Sequence, residues 1–188
     1  MSDIASKLVI VSGPSGAGKD TIVNELLKRD SGLSVSVSAT SREPRGEEKN
    51  GVEYYFLSVA EFEERIKHGD FIEFAQYGSN YYGTLKEDVQ KRVDDDKIVI
   101  LVIEVNGAES VKKLYPQALS IFILPPSEEV LEKRLRARQT EDEDAIVKRL
   151  NIAKKEIAKS AEYDYAIVND DLQAAVDKVY NIICDNKK

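Results

Sequence analysis

The stretch "KLVIVSGPSGAGKDTIVNELLKR" (7–29) constrains the fold more than any other part of the chain. Residues 7–12 form an apolar, β-branched run ending in glycine, which predicts a strand buried on both faces. From 20 to 29, Ile22, Val23, Leu26 and Leu27 recur at helical spacing. Between them lies G-x-x-x-x-G-K, written by Gly13, Pro14, Ser15, Gly16, Ala17, Gly18 and Lys19. A strand that turns through such a loop into a helix aims backbone N–H groups at an anion, reinforced by the helix dipole. Lys19 then reaches the terminal phosphates as a point charge. The following position ordinarily carries a hydroxyl for a metal ion. Here it is Asp20, and Thr21 supplies a hydroxyl one position late. A carboxylate at Asp20 stabilises the first helical turn; toward a ligand it either repels phosphates or holds Mg2+ or its water shell. The expectation is a nucleotide-binding loop over residues 13–21.

The rest of the chain repeats the strand–helix theme. "KIVILVIEV" (97–105) and "LSIFIL" (119–124) are further apolar runs, the second stopped by Pro125 and Pro126, and "YAIVN" (165–169) is a shorter one. Helical patterns fall at about 85–94, 107–115, 127–138, 142–160 and 171–184. Buried strands alternating with helices predict an α/β fold with a parallel sheet covered on both faces. Residues 34–84 break the rhythm. "SVSVSAT", "GVEYYFLS" and "DFIEFAQYGSNYYG" are short strand candidates, and the region shows alternation, aromatics and Gly/Asn turns around a small helix near 59–67. They predict a mostly β insertion. The arginine-rich stretch 134–150 between two helices suggests a second one.

Bulk properties exclude several function classes. The 188 residues suit one domain with inserted subdomains. With 34 acidic against 27 basic residues the net charge is −7, which argues against broad nucleic-acid binding. The only cysteine, Cys184, cannot form an internal disulfide and points to a reducing compartment. The short apolar run at the N-terminus is interrupted by Gly-Pro and reads as neither a signal peptide nor a membrane span. A cytoplasmic protein with no membrane partner is the expectation; oligomeric state stays open.

Taken together, "GPSGAGK", "SVSATSREPRGEEKNGVEYYFLS" (36–58) and "FIEFAQYGSNYYGT" (71–84) resemble the guanylate kinases. The likeness runs on through "PPSEEVLEKRLRAR" and "AIVNDDL" and covers nearly the whole chain. It implies a P-loop core (1–33, 85–126 and 161–188), a GMP-binding insertion (34–84) and a helical lid region (127–160). ATP and GMP are the implied substrates and Mg2+ the implied cofactor, with Gly13 to Thr21 and Asn169 on the ATP side. For Asn169, a strand-end turn explains the residue equally well.

On the acceptor side the chemistry of the residues agrees with the resemblance. Arg42 and Arg45, three apart on a loop held by Pro44, can fork onto a phosphate dianion. The resemblance adds Tyr54 and Tyr82 as donors to the same group. Glu73 is a carboxylate in the apolar context "FIEF". Guanine presents N1–H and N2–H2 side by side, a pair that one carboxylate accepts and that adenine does not offer. Ser38 and Thr84 complete the base pocket by resemblance. Lys19, Arg134, Arg138 and Arg149 are implied as the catalytic cations; Arg134 and Arg138 share one helical face, where pairing with Glu132, Glu141 and Asp142 is the alternative. His68 in "KHGD" reads as a solvated loop residue.

Four positions depart from the family pattern. Besides Asp20, the acid-x-Asp-x-Gln-Gly segment appears here as "VIEVNG": Val102 replaces the first acid, Glu104 lengthens the second and Asn106 replaces the glutamine. Glu104 keeps its charge and stays on the GMP side. No histidine-centred constellation is present, in keeping with an acceptor phosphate that is already anionic and needs no general base. Phosphoryl transfer from ATP to GMP is the function expected. The alternatives are a weakened guanylate-kinase-like module that binds GMP or phosphopeptides, and a kinase for another nucleoside monophosphate.

Overall fold

The computed structural model describes residues 4–137 and 143–186. In chain order its elements are α1 (Ile4–Lys7), β1 (Leu8–Ser12), α2 (Lys19–Arg29), β2 (Leu33–Val35), β3 (Ser38–Thr40) and β4 (Tyr55–Phe56). There follow α3 (Val59–His68), β5 (Phe71–Tyr77), β6 (Asn80–Leu85), α4 (Lys86–Asp94), β7 (Ile98–Val102) and α5 (Val105–Leu114). Last come β8 (Leu119–Leu124), α6 (Glu128–Arg136), α7 (Glu143–Ala158), a 3-10 turn (Lys159–Glu162), β9 (Tyr165–Val168) and α8 (Leu172–Asn186).

Five strands form a parallel sheet in the order β2-β7-β1-β8-β9. All five residues of β1 are buried. Val9 and Val11 pack with Ile22, Leu26, Val176 and Val179 from α2 and α8, whereas Leu8 and Ile10 pack with Val89, Val93 and Val111 from α4 and α5. A strand covered on both faces needs apolar residues at every position, which is why the run lacks alternation. The phosphate loop leaves this central strand at its C-terminal end, where open α/β sheets bind ligands.

The second sheet, β4-β3-β6-β5, is built from the middle of the chain. Strands β5 and β6 form a hairpin whose two-residue turn begins at Gly78, φ 61°. Helix α3 is fixed locally by a capping box between Ser58 and Glu61 and by Gly69 in the left-handed conformation at its C-terminus. Phe62 stacks on Phe71 and Tyr81 beneath this sheet. Buried Asp88 on α4 ties the sheet to the core, accepting from Tyr55 Oη (2.9 Å), Val37 N–H (3.0 Å) and Arg92 Nε (2.8 Å).

The expected strand "SVSVSAT" is corrected. It splits at Ser36–Val37: Leu33–Val35 pairs with β7 in the parallel sheet, and only Ser38–Thr40 enters the second one. Both halves alternate alike, so only their partners distinguish them. The run at 97–105 stops at Val102, because Glu104 already caps α5. The short α1 was not anticipated, and His68 is the exposed last residue of α3 rather than a loop residue.

Candidate active site

At the end of β1 the chain reverses through residues 13–18 into α2. Gly13 has φ 143°, and a Cβ there would lie 2.3 Å from the Ile123 carbonyl oxygen. Gly18, φ 94°, caps α2 in the left-handed region, and a Cβ would lie 2.3 Å from Asn169 Nδ2. Neither position tolerates a side chain. The first-turn amides of α2 are left by helix geometry to find partners outside the helix, so the loop is an anion site. Lys19 Nζ donates to the carbonyls of Gly13 (2.6 Å) and Pro14 (3.1 Å), folded along the loop. Asp20 and Thr21 are exposed at the mouth.

One expected ATP-side residue, Asn169, and one expected catalytic cation, Arg134, lie against this loop. Asn169 is 5% exposed, and its amide donates to Ala17 O at 2.8 Å. Arg134 donates to the same carbonyl (3.4 Å) and to Asn169 O (3.1 Å). Both hold the loop at Ala17, and neither lines the two cavities of the cleft described below. Arg149 approaches from α7 and donates to Ser15 Oγ at 3.2 Å. Arg138 lies outside the described residues.

Strand register brings together the residues expected on the acceptor side. Ser38 pairs with Thr84, and Thr84 pairs with Glu73, so the three form one row across β3, β6 and β5. An irregularity between Phe71 and Glu73 lets Phe71, Ile72 and Glu73 all be buried. Thr84 Oγ1 donates to Glu73 Oε1 at 2.7 Å. Burial pushes the Glu73 carboxyl above the ordinary range; the Thr84 bond offsets this in part, and the charge of Glu104 adds to it. Tyr54 and Tyr82 meet edge to face at 6.2 Å, and the Arg42 guanidinium lies 5.3 Å from the Tyr54 ring centre. Arg42 is paired bidentately with Glu48 (2.9 and 3.0 Å), which raises its pKa, and Glu48 also accepts from Arg45 N–H at 2.7 Å. The Arg45 side chain is exposed.

A cavity of about 340 Å³ is lined by Ser38, Tyr54, Glu73, Tyr82 and Glu104. A second, of about 560 Å³, is lined by the phosphate loop, Lys19, Asp20, Thr21, Arg149 and Glu156. Tyr54, Tyr77, Val102, Ile103 and Glu104 line both, so the two are neighbouring compartments of one cleft. Among the described residues, no group of three or more His, Cys, Asp or Glu could cage a metal ion. Asn106 is exposed in the first turn of α5.

Two titratable cleft residues escaped the sequence analysis. Tyr77 Oη donates to the Glu104 carboxylate, and burial together with that bond pushes the phenol well above its usual pKa. Glu156 is also raised, by burial first and then by Glu104, with Lys19 acting in the opposite direction. The signals were periodic: Tyr77 is four residues along the strand from Glu73, and Glu156 two helical turns from Arg149.

A parallel sheet with a phosphate loop on its central strand, facing a pocket for a second ligand, defines the P-loop kinase class. A shikimate kinase from Bacteroides thetaiotaomicron shares this fold at 15% identity and a TM-score of 0.51, over 93% of this chain and 96% of its own. Sequence comparison places the chain within that class. The family model described as guanylate kinase matches residues 5–186. A guanylate kinase from Nostoc sp. is 49% identical over 176 residues, covering 94% of this chain and 88% of that protein. One from Carboxydothermus hydrogenoformans is 48% identical over 180 residues, covering 96% and 88%. The crystal structure of guanylate kinase from Anaplasma phagocytophilum superposes with a TM-score of 0.76 at 32% identity, over 96% of this chain and 85% of that one. The chain belongs to the guanylate kinase family and is an enzyme of the nucleoside monophosphate kinase class.

Proposed function

We infer that the protein transfers the γ-phosphoryl group of ATP to GMP, giving ADP and GDP. The observation that carries this reading is the divided cleft: a phosphate loop with Lys19 on one side and the Ser38–Thr84–Glu73 row on the other, joined through shared walls. On the donor side the loop amides and Lys19 hold the phosphates, Arg149 approaches from the lid region, and Arg134 and Asn169 keep the loop in shape. Arg138 belongs with these cations by its place in the family pattern. On the acceptor side Glu73 accepts from guanine N1–H and N2–H2. Ser38 and Thr84 complete the base pocket, with Glu104 beside it, and Arg42, Arg45, Tyr54 and Tyr82 hold the GMP phosphate.

The acceptor oxygen is already anionic, so catalysis rests on alignment and on neutralising charge as it moves between phosphates. The oxygen donors Thr21 and Glu104 in the cleft suit Mg2+, which takes one or two carboxylates, substrate phosphates and retained waters instead of a protein cage. Bound with ATP, Mg2+ supplies further charge neutralisation on the phosphates. Closure of the β insertion and lid over both nucleotides excludes water, which would otherwise accept the phosphoryl group. Among the described residues no helix is long and apolar enough to cross a membrane, and the single cysteine supports a reducing, cytoplasmic setting.

The test is an ADP-release assay with ATP and Mg2+, comparing GMP, AMP and UMP for wild type and Asp20→Gly. Turnover confined to GMP is expected; equal turnover of AMP, or none with any acceptor, sinks the reading. The Asp20 carboxylate repels the donor phosphates, so Asp20→Gly should lower KM for ATP by roughly fivefold, the equivalent of about 1 kcal/mol between exposed charges a few ångströms apart. A rise in that KM would assign Asp20 to metal binding instead.

A further inference from the structure

Gly107 occupies a position where glycine has no conformational purpose. It is the third residue of α5, buried, and absent from the positions with positive φ. Glycine is the poorest ordinary helix former at such a site. Its surroundings give the reason. A Cβ on Gly107 would lie 2.8 Å from Glu73 Oε2, 3.3 Å from its Cδ and 3.6 Å from its Cγ. Thr84 engages the other oxygen, Oε1, at 2.7 Å. The carboxylate is thus held between a hydroxyl on β6 and the bare backbone of α5, in the cavity that Glu73 and Gly107 line.

The obstruction is of a particular kind. The atoms a Cβ would meet belong to the end of a side chain, so the fold can accommodate a methyl group by moving that side chain. Glu73 is 9% exposed and bonded to Thr84, so any accommodation moves the carboxylate or breaks that bond. The cost therefore falls on the site and not on the fold.

We propose that Gly107 is a specificity-determining positioning residue: by lacking a side chain it sets the depth at which the Glu73 carboxylate sits, and hence how that carboxylate meets the acceptor base. The proposal rests on the assignment of Glu73 as the guanine reader. Gly107 touches no reacting atom and acts through Glu73. A base that offers two adjacent donors needs both carboxylate oxygens at a fixed height, and a displacement of a few tenths of an ångström tilts one of the two bonds out of line.

The experiment is a double-mutant cycle on Gly107→Ala and Glu73→Asp, read as KM for GMP, KM for ATP, relative turnover of AMP, and Tm. Gly107→Ala should raise KM for GMP by about tenfold, the loss of roughly one charge-assisted hydrogen bond, with KM for ATP within about twofold of wild type. Tm should be unchanged or higher, since alanine is the better helix former. Asp at 73 withdraws the carboxylate by one methylene and makes room for the methyl group, so the Gly107→Ala penalty should then vanish. Gly107→Ser should behave as Gly107→Ala does in the Glu73 background. An unchanged KM for GMP in Gly107→Ala overturns the proposal, as does an equal penalty in both backgrounds. A parallel loss of Tm and of both substrates also overturns it, because the methyl group would then be disrupting the fold. Glu73→Asp alone separates the two levels. If it leaves GMP and AMP kinetics as in wild type, the guanine reading falls; if it weakens GMP while Gly107→Ala does not, only the role of Gly107 falls.

Discussion

The two halves of the cleft are made by different means. The phosphate side is built from consecutive backbone: residues 13–21 form the turn, present the amides and place Lys19. The base side is built from side chains on three strands, brought into one row by pairing between residues 38, 84 and 73. A backbone-made site needs glycines at fixed spacing and is local in sequence. A side-chain-made site needs register and depth, which no short stretch encodes. The difference also appears in the electrostatics. The phosphate loop presents dipoles and a cation, whereas the Ser38–Thr84–Glu73 row buries a carboxylate and raises its pKa.

The sharpest way to break this comparison is Lys19→Ala. It removes the loop's own cation from a backbone-made site, and turnover should fall about a thousandfold, the scale of losing a charge-stabilising donor. A loss under tenfold would mean that the amides and lid arginines suffice. Next is Glu73→Gln, which keeps the shape and an oxygen for Thr84 but removes the charge. Its kcat/KM for GMP should drop about 100-fold, the value of a hydrogen bond to a charged group, while AMP turnover holds or rises.

The same variant sharpens the electrostatic half. The Glu73 carboxyl is raised in the folded protein, so the folded state keeps that proton to a higher pH than the unfolded chain does. Stability therefore falls as pH rises from the ordinary carboxylate range through the raised pKa. Glu73→Gln abolishes that loss, and above this window its Tm should exceed that of wild type by about 2–4 °C, the shift of roughly 1 kcal/mol in a domain of this size. In wild type, KM for GMP should rise on acidification at a higher pH than an ordinary carboxylate would give. The smallest effect is expected from Asn169→Ala, against the loop. Arg134 still reaches Ala17 O, so Tm should fall by only about 2–4 °C, with a two- to threefold rise in KM for ATP and none for GMP. An equal rise for both would show that the strut supports the whole cleft.

Much of this was legible in the residues. The β1–loop–α2 unit, the parallel core strands and the β character of the insertion follow from apolar runs, helical spacing and turn glycines, which are short-range physics. Arg42, Glu73 and Thr84 were named from chemistry and family likeness, and the structure brings the last two within 2.7 Å of each other. The split of "SVSVSAT" between two sheets was not legible, because alternation reports which face is buried and not which strand pairs alongside. Nor were the positions of Arg134 and Asn169 against the loop, since a motif marks a neighbourhood and not the direction of a side chain.

By itself, the sequence determined the loop, its glycines and the kind of anion it accepts, because these depend on backbone geometry within ten residues. Only the tertiary structure decided which helix backs Glu73, which oxygen of that carboxylate faces Gly107, and how the two compartments share a wall. Those depend on contacts between residues tens of positions apart, where depth and register are set by packing and not by neighbours in the chain.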